Sequence, residues 1–129
     1  MIPINKILIQ MRSSVKKMRY NTFGDYFIKK DRLVFQIVDH KKDIYTKLTL
    51  LHEMIEYFML EYKGIPIDAI DEFDIAFEKD PDRVAKYGEP GADPSAPYRH
   101  EHSVAEISCQ FICEQLGIDY EQYNNCLDE

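Results

Sequence analysis

No apolar run in the 129-residue chain approaches the roughly 20 residues a membrane-spanning helix needs, so no insertion into a bilayer is expected. The opening MIPINKILIQMRSS has a brief apolar stretch but no long apolar region followed by a small-residue cleavage site. No signal peptide is expected from it. Cysteine is scarce and odd in number, with Cys109, Cys113 and Cys126 only. Three thiols without a secretion signal point to a reduced, cytoplasmic protein, not a disulfide scaffold. Basic residues are outnumbered, 16 Lys and Arg against 23 Asp and Glu, for a net charge of −7. That balance argues against general nucleic-acid binding, while leaving room for a local basic patch, a cationic partner or a bound cation. Internal repeats and low-complexity segments are also missing. What remains is one domain over residues 1–129, 45% hydrophobic and 30% charged, large enough to fold without a disulfide or metal staple.

The pattern along the chain is mixed. Ile4 to Met11 suits an N-terminal strand or a short helix, and Ser13 to Tyr20 is basic. Tyr26 and Ile28, then Leu33, Phe35 and Ile37, alternate with their neighbours around Lys29-Lys30-Asp31, the signature of an antiparallel hairpin over about residues 24–39. Asp43 opens a helix in which Ile44, Leu48, Leu51, Ile55, Phe58 and Tyr62 form a 4-3-4-3-4 stripe. Gly64 caps it and Pro66 prevents its continuation. A second, acidic helix is expected over 67–79, with Ile67, Ile70, Phe73 or Asp74, and Phe77 on one face. Asp80 to Tyr98 holds four of the six prolines and two of the five glycines and reads as a long loop. A third helix runs to about Leu116 before Gly117, and Asp119 with Gln122 resembles the capping box of a short fourth. The expected class is α+β, a small antiparallel sheet (N-terminal strand plus hairpin) on three to four helices.

One segment carries chemistry. His52 and Glu56 in LLHEMIEY stand four apart on the first helix and so project from one side. This is the spacing of the two metal-binding side chains in an HExxH motif, with Glu53 in the place of the water-activating carboxylate. A carboxylate at Glu56 is an acceptable zinc ligand. His102 and Glu106 repeat the spacing on the third helix. If the two helices pack side by side, His52, Glu56 and His102 can surround one cation. Glu106 could then be a fourth ligand, or it could orient His102.

Blander readings compete. His52 borders the apolar stripe and could be a satisfied core histidine, and Glu53 and Glu56 could be solvated. Ser103 with Glu106 fits a capping box that would leave His102 outside the helix, whereas a start near Ser95 and Pro97 keeps both on one face. Cys109 and Cys113 suit packing better than ligation. His40 suits an exposed turn, His100 points away from His102 but could still contact a substrate, and Tyr98 and Arg99 could contact a substrate carboxylate or phosphate or simply be exposed.

A hairpin, a helix bearing His-Glu and a later helix with a third ligand together resemble the minimal zincin arrangement. The strings TLLHEMIEYF and APYRHEH also resemble small phage and prophage proteins of unknown function that carry LHExxE followed by APYRxEH, over about residues 24–116. The zincin resemblance implies His52 and Glu56 as ligands, Glu53 as base and His102 as third ligand. The chain departs from that pattern where Glu56 replaces the second histidine.

Three functions follow as expectations. The first is a small zinc-dependent hydrolase of a peptide or amide bond, acting on an unknown peptide or small molecule. The second is a nucleotide phosphohydrolase using Mg²⁺, Mn²⁺ or iron, to which Asp68, Asp71, Glu72 and Asp74 could add ligands. The third is a non-catalytic acidic adaptor or inhibitor that binds a basic surface.

Overall fold

The computed structural model describes residues 6–20 and 22–127. Ile4 and Asn5, expected at the start of the first strand, lie outside them. Three strands, β1 (Lys6–Arg12), β2 (Gly24–Lys29) and β3 (Arg32–Val38), precede five helices: α1 (Asp43–Lys63), α2 (Ile67–Glu78), α3 (Pro81–Tyr87), α4 (Arg99–Leu116) and α5 (Tyr120–Leu127). The class is α+β, as expected. No helix among the described residues is long and apolar enough to cross a membrane.

The hairpin falls where alternation placed it, with Lys30 turning the chain at φ 56°. The sheet, however, is mixed. Its order is β1-β3-β2, and β1 runs parallel to β3. β3 takes the centre because Leu33 through Val38 are all buried, a near-continuous apolar run that suits a strand paired on both edges. With β2 holding one edge through the hairpin, β1 takes the other.

Helix α1 begins at Asp43 and ends at Gly64, whose φ of 75° lets its N–H reach the Leu60 and Glu61 carbonyls. Its buried face is not the apolar stripe. Phe58 is 70% and Tyr62 82% exposed, Ile44 is exposed, and Leu51 and Ile55 are half-buried. Of the stripe only Leu48 is buried, together with Tyr45, Thr46, Thr49, Glu56, Tyr57 and Leu60 from outside it. The helix must face both the sheet and α4, and the positions that do so include polar ones. Tyr57 and Leu60 join Tyr26, Leu33 and Phe35 in the main core.

The expected loop over 80–98 contains a helix. Asp80 accepts from the backbone N–H groups of Asp82 and Arg83, and Pro81 occupies the first helical position. Proline at that position loses no intrahelical bond, so it marks a start here and not a break. With α3 counted, five helices replace the expected three to four. Helix α4 starts at Arg99, so His102 and Glu106 share it. Ser103 is no cap; its hydroxyl donates back to the Arg99 carbonyl at 3.0 Å. α5 begins as expected, with the Gln122 N–H on Asp119 at 3.1 Å.

Candidate metal centre

α4 lies antiparallel along α1. The Lys63–Glu101 ion pair joins one end of the two helices, and Tyr45 and Leu48 pack on Cys113 at the other. Cys109 and Cys113 are buried packing residues. Between these ends the two i, i+4 pairs meet. His52 Nε2 lies 3.2 Å from Glu56 Oε2 and 3.3 Å from His102 Nδ1, and His102 Nδ1 lies 3.1 Å from Glu56 Oε2. Bonds of about 2.0–2.1 Å in a tetrahedron place neighbouring ligand atoms about 3.3 Å apart. The triangle thus has the dimensions of one face of a zinc tetrahedron, and its atoms are two imidazole nitrogens and a carboxylate oxygen.

The surroundings orient each of the three. Glu56 is buried, and its second oxygen accepts from the Tyr26 hydroxyl of β2 at 2.8 Å. His102 turns Nε2 away from the triangle to Glu89 and Glu106, each at 3.0 Å. Glu89, His102 and Glu106 thereby form a second cluster able to hold an ion. An imidazole that gives Nδ1 to an ion keeps its proton on Nε2. Glu89 and Glu106 would then receive that N–H, a usual way to fix a metal-bound histidine. Gly91 makes room for the ring, since a Cβ there would sit 2.5 Å from His102 Cγ.

Burial penalises the charge on Glu56, yet hydrogen bonds from His102 and His52 outweigh it and hold the carboxyl down at about 2. Burial likewise opposes charge on His102, and its bonds to Glu106, Glu56 and Glu89 push it up to about 12. Without a cation, the imidazolium is what balances these carboxylates. Glu53, one residue from His52, points instead to β2, where a Cβ on Gly24 would sit 2.6 Å from its Oε1. Burial first, then Glu56 and Asp25, raise its carboxyl well above the ordinary value.

These groups open on a cavity of about 800 Å³ walled by β2 and all five helices. Asp74 lies on its α2 wall, bonded by the hydroxyls of Tyr98 and of Tyr20, the latter at 3.1 Å, and burial pushes it up to about 7. Asp71 is engaged by Arg19, and Asp68 and Glu72 are exposed. Tyr98 is therefore a buried support and not an exposed loop residue. Arg99 reaches Ser103 and His100 is exposed. His40 is half-buried, stacked on Phe23 with Nε2 3.2 Å from the Thr49 hydroxyl.

The sequence reading missed Glu89 and Tyr26. Neither stands at ligand spacing from a histidine. Gly88-Glu89-Pro90-Gly91, a turn that places a glycine under an aromatic ring, is the one local hint. No family model matches the chain, and neither a curated protein nor a solved structure matches it.

Proposed function

We propose that the chain is a small zinc-dependent hydrolase of zincin-like type that cleaves a peptide or amide bond in the cytoplasm. The observation that carries this is the His52–Glu56–His102 triangle, 3.1–3.3 Å on a side. Two imidazoles with one carboxylate favour zinc over Mg²⁺ or Ca²⁺, which prefer all-oxygen shells. A zinc ion held there would supply an acidified water, with a pKa near about 7. Glu53, in the wall of the same cavity, is assigned as general base. Tyr26 fixes Glu56, and Glu89 and Glu106 fix His102. Three free thiols suit a reducing compartment.

The cavity lining also bears on substrate. Its described residues include eight Asp and Glu and no Lys or Arg. Arg19 pairs with two of them, Asp25 and Asp71, and His102 with three more, yet the wall keeps an excess of carboxylates, so a neutral or cationic amide fits better than a nucleotide. The test is metal content and hydrolysis of a mixed peptide library by zinc-loaded protein. Glu53→Gln is expected to keep stoichiometric zinc and lose cleavage. Zinc retained in a His52→Ala/His102→Ala double variant would overturn the assignment. The exposed Phe58 and Tyr62 favour a second reading, a non-catalytic binding protein, which would hold if Glu53→Gln left biological activity intact.

A further inference from the structure

The molecule has a second groove, on the sheet face turned away from α1. Strand register places its side chains in rows. Lys6, Arg32 and Lys29 stand in cross-strand register, with Lys30 in the adjoining turn. Like charges directly opposite one another destabilise a sheet, so this row carries a cost that a bound anion would remove. Leu8, Val34 and Phe27 make the next row, and Gln10, Gln36 and Asp25 the one beyond, where Arg19 neutralises the Asp25 carboxylate. Arg19 covers Phe27 with its guanidinium 4.3 Å from the ring centroid and closes that side.

The far end of the groove is unfinished. Gln36 is 5% exposed, and its Nε2 donates to Gln10 Oε1 at 2.9 Å. Gln36 Oε1, an acceptor, and Arg12 Nε, a donor, are buried without a hydrogen-bond partner. A buried polar atom left unpaired costs about 1–3 kcal/mol, and most such atoms in proteins find a partner. The groove encloses about 340 Å³, and its described lining residues include Arg12, Lys29, Lys30 and Arg32 but no carboxylate. That volume falls at the lower end of the roughly 300–1,000 Å³ range of small-molecule sites.

We infer that this face binds a nucleoside monophosphate, with the phosphate at Lys29, Lys30 and Arg32 and the base edge at Gln36 and Arg12. Arg32 and Gln36 are four steps apart along β3, about 13 Å at about 3.3 Å per residue. A ligand filling this span has an anionic head, a ring body across the Leu8–Val34 strip, and an edge that both donates and accepts. Adenine has such an edge, with an amino donor beside a ring nitrogen. A polymer fits less well. Residues 1–42 hold ten of the sixteen Lys and Arg and only three of the 23 acidic residues. A long nucleic acid leaving the groove would meet the acidic remainder of the chain. The inference does not rest on the metal centre: His52, Glu56 and His102 stand on α1 and α4, and none of them lines this groove.

The experiment is an amide chemical-shift titration of the ¹⁵N-labelled full chain with adenosine monophosphate, ribose 5-phosphate, inorganic phosphate and adenosine. Saturable shifts over Leu8–Arg12 and Arg32–Gln36 with the nucleotide are expected, at least about tenfold tighter than with inorganic phosphate or ribose 5-phosphate. Lys29→Ala/Arg32→Ala alters exposed side chains only and is expected to weaken binding about tenfold or more without lowering the melting temperature, since it also relieves the repulsion in the row. Equal affinity for nucleotide and inorganic phosphate would overturn the base contact. Undiminished binding by the double variant would overturn the phosphate contact. Tighter binding of a short oligonucleotide than of the mononucleotide would overturn the choice of ligand class.

Discussion

A zinc ion in the proposed centre would compete with a proton for one atom, Nδ1 of His102. The hydrogen bonds to Glu106, Glu56 and Glu89 overcome burial and keep the ring charged up to about 12. At neutral pH the metal-free ring therefore holds protons on both nitrogens, Nδ1 toward Glu56 and Nε2 toward Glu89 and Glu106. An ion in the triangle takes Nδ1, and one proton must leave for each zinc bound. Linkage then makes the zinc association constant rise about tenfold per pH unit, or about 1.4 kcal/mol, for as long as the free ring stays protonated. Calorimetric zinc titrations between pH 7 and 8, in two buffers of different ionisation enthalpy, report both the affinity and the proton count. At least one proton released and at least a tenfold gain are expected, the excess over one coming from the metal-bound water as it ionises. A pH-independent affinity with no proton release would refute the reasoning, because Nδ1 would then be either unprotonated or not a ligand.

The metal-free protein should lose stability on both sides of its optimum. The His102 pKa is raised on folding, so its contribution is full below about 6.5 and declines as pH rises toward about 12; Glu53, also raised, adds to that decline, whereas Glu56 contributes above 4.5 and is lost toward about 2. Urea midpoints in chelator should fall from pH 7 to 9, and a rise would contradict the assignment. Gly91→Ala places a methyl 2.5 Å from the His102 ring. It should cost about 1–3 kcal/mol and weaken zinc binding, both measurable by calorimetry. Phe58→Ser, in the regular apolar stripe, should change stability by no more than about 0.5 kcal/mol, whereas Leu60→Ala, 1% exposed, should cost about 2–5 kcal/mol in urea unfolding.

That last contrast marks where the sequence misleads. Helix α1 was legible in its limits because Asp43, Gly64 and Pro66 act locally. Its orientation was not, since counting apolar residues selects Ile44, Phe58 and Tyr62, while Thr49, His52 and Glu56 occupy the side facing α4. A helix that buries a polar site hides its inner face from any hydrophobic count. β1 shows a related gap: an apolar string announces a strand, but which edge of β3 it takes, and in which direction, depends on the whole sheet. α3 is hidden because Pro81 and Gly88 read as breakers in isolation, although Asp80 and Pro81 together form a helix start. The centre itself was more legible, because i, i+4 spacing is a local property. His52, Glu56 and His102 meet as that spacing suggested. Glu106 lies on the far nitrogen of His102, beside Glu89 in the second cluster. Glu89 comes from a turn whose path only the tertiary packing sets.

The most direct test of the metal centre is X-ray absorption at the zinc edge on the full chain reconstituted with one equivalent of zinc. One zinc per chain is expected, with two imidazole nitrogens and carboxylate oxygen at about 2.0–2.2 Å, and loss of that signal in His52→Ala/His102→Ala. No retained zinc after reconstitution, or an unchanged spectrum in the double variant, would contradict it.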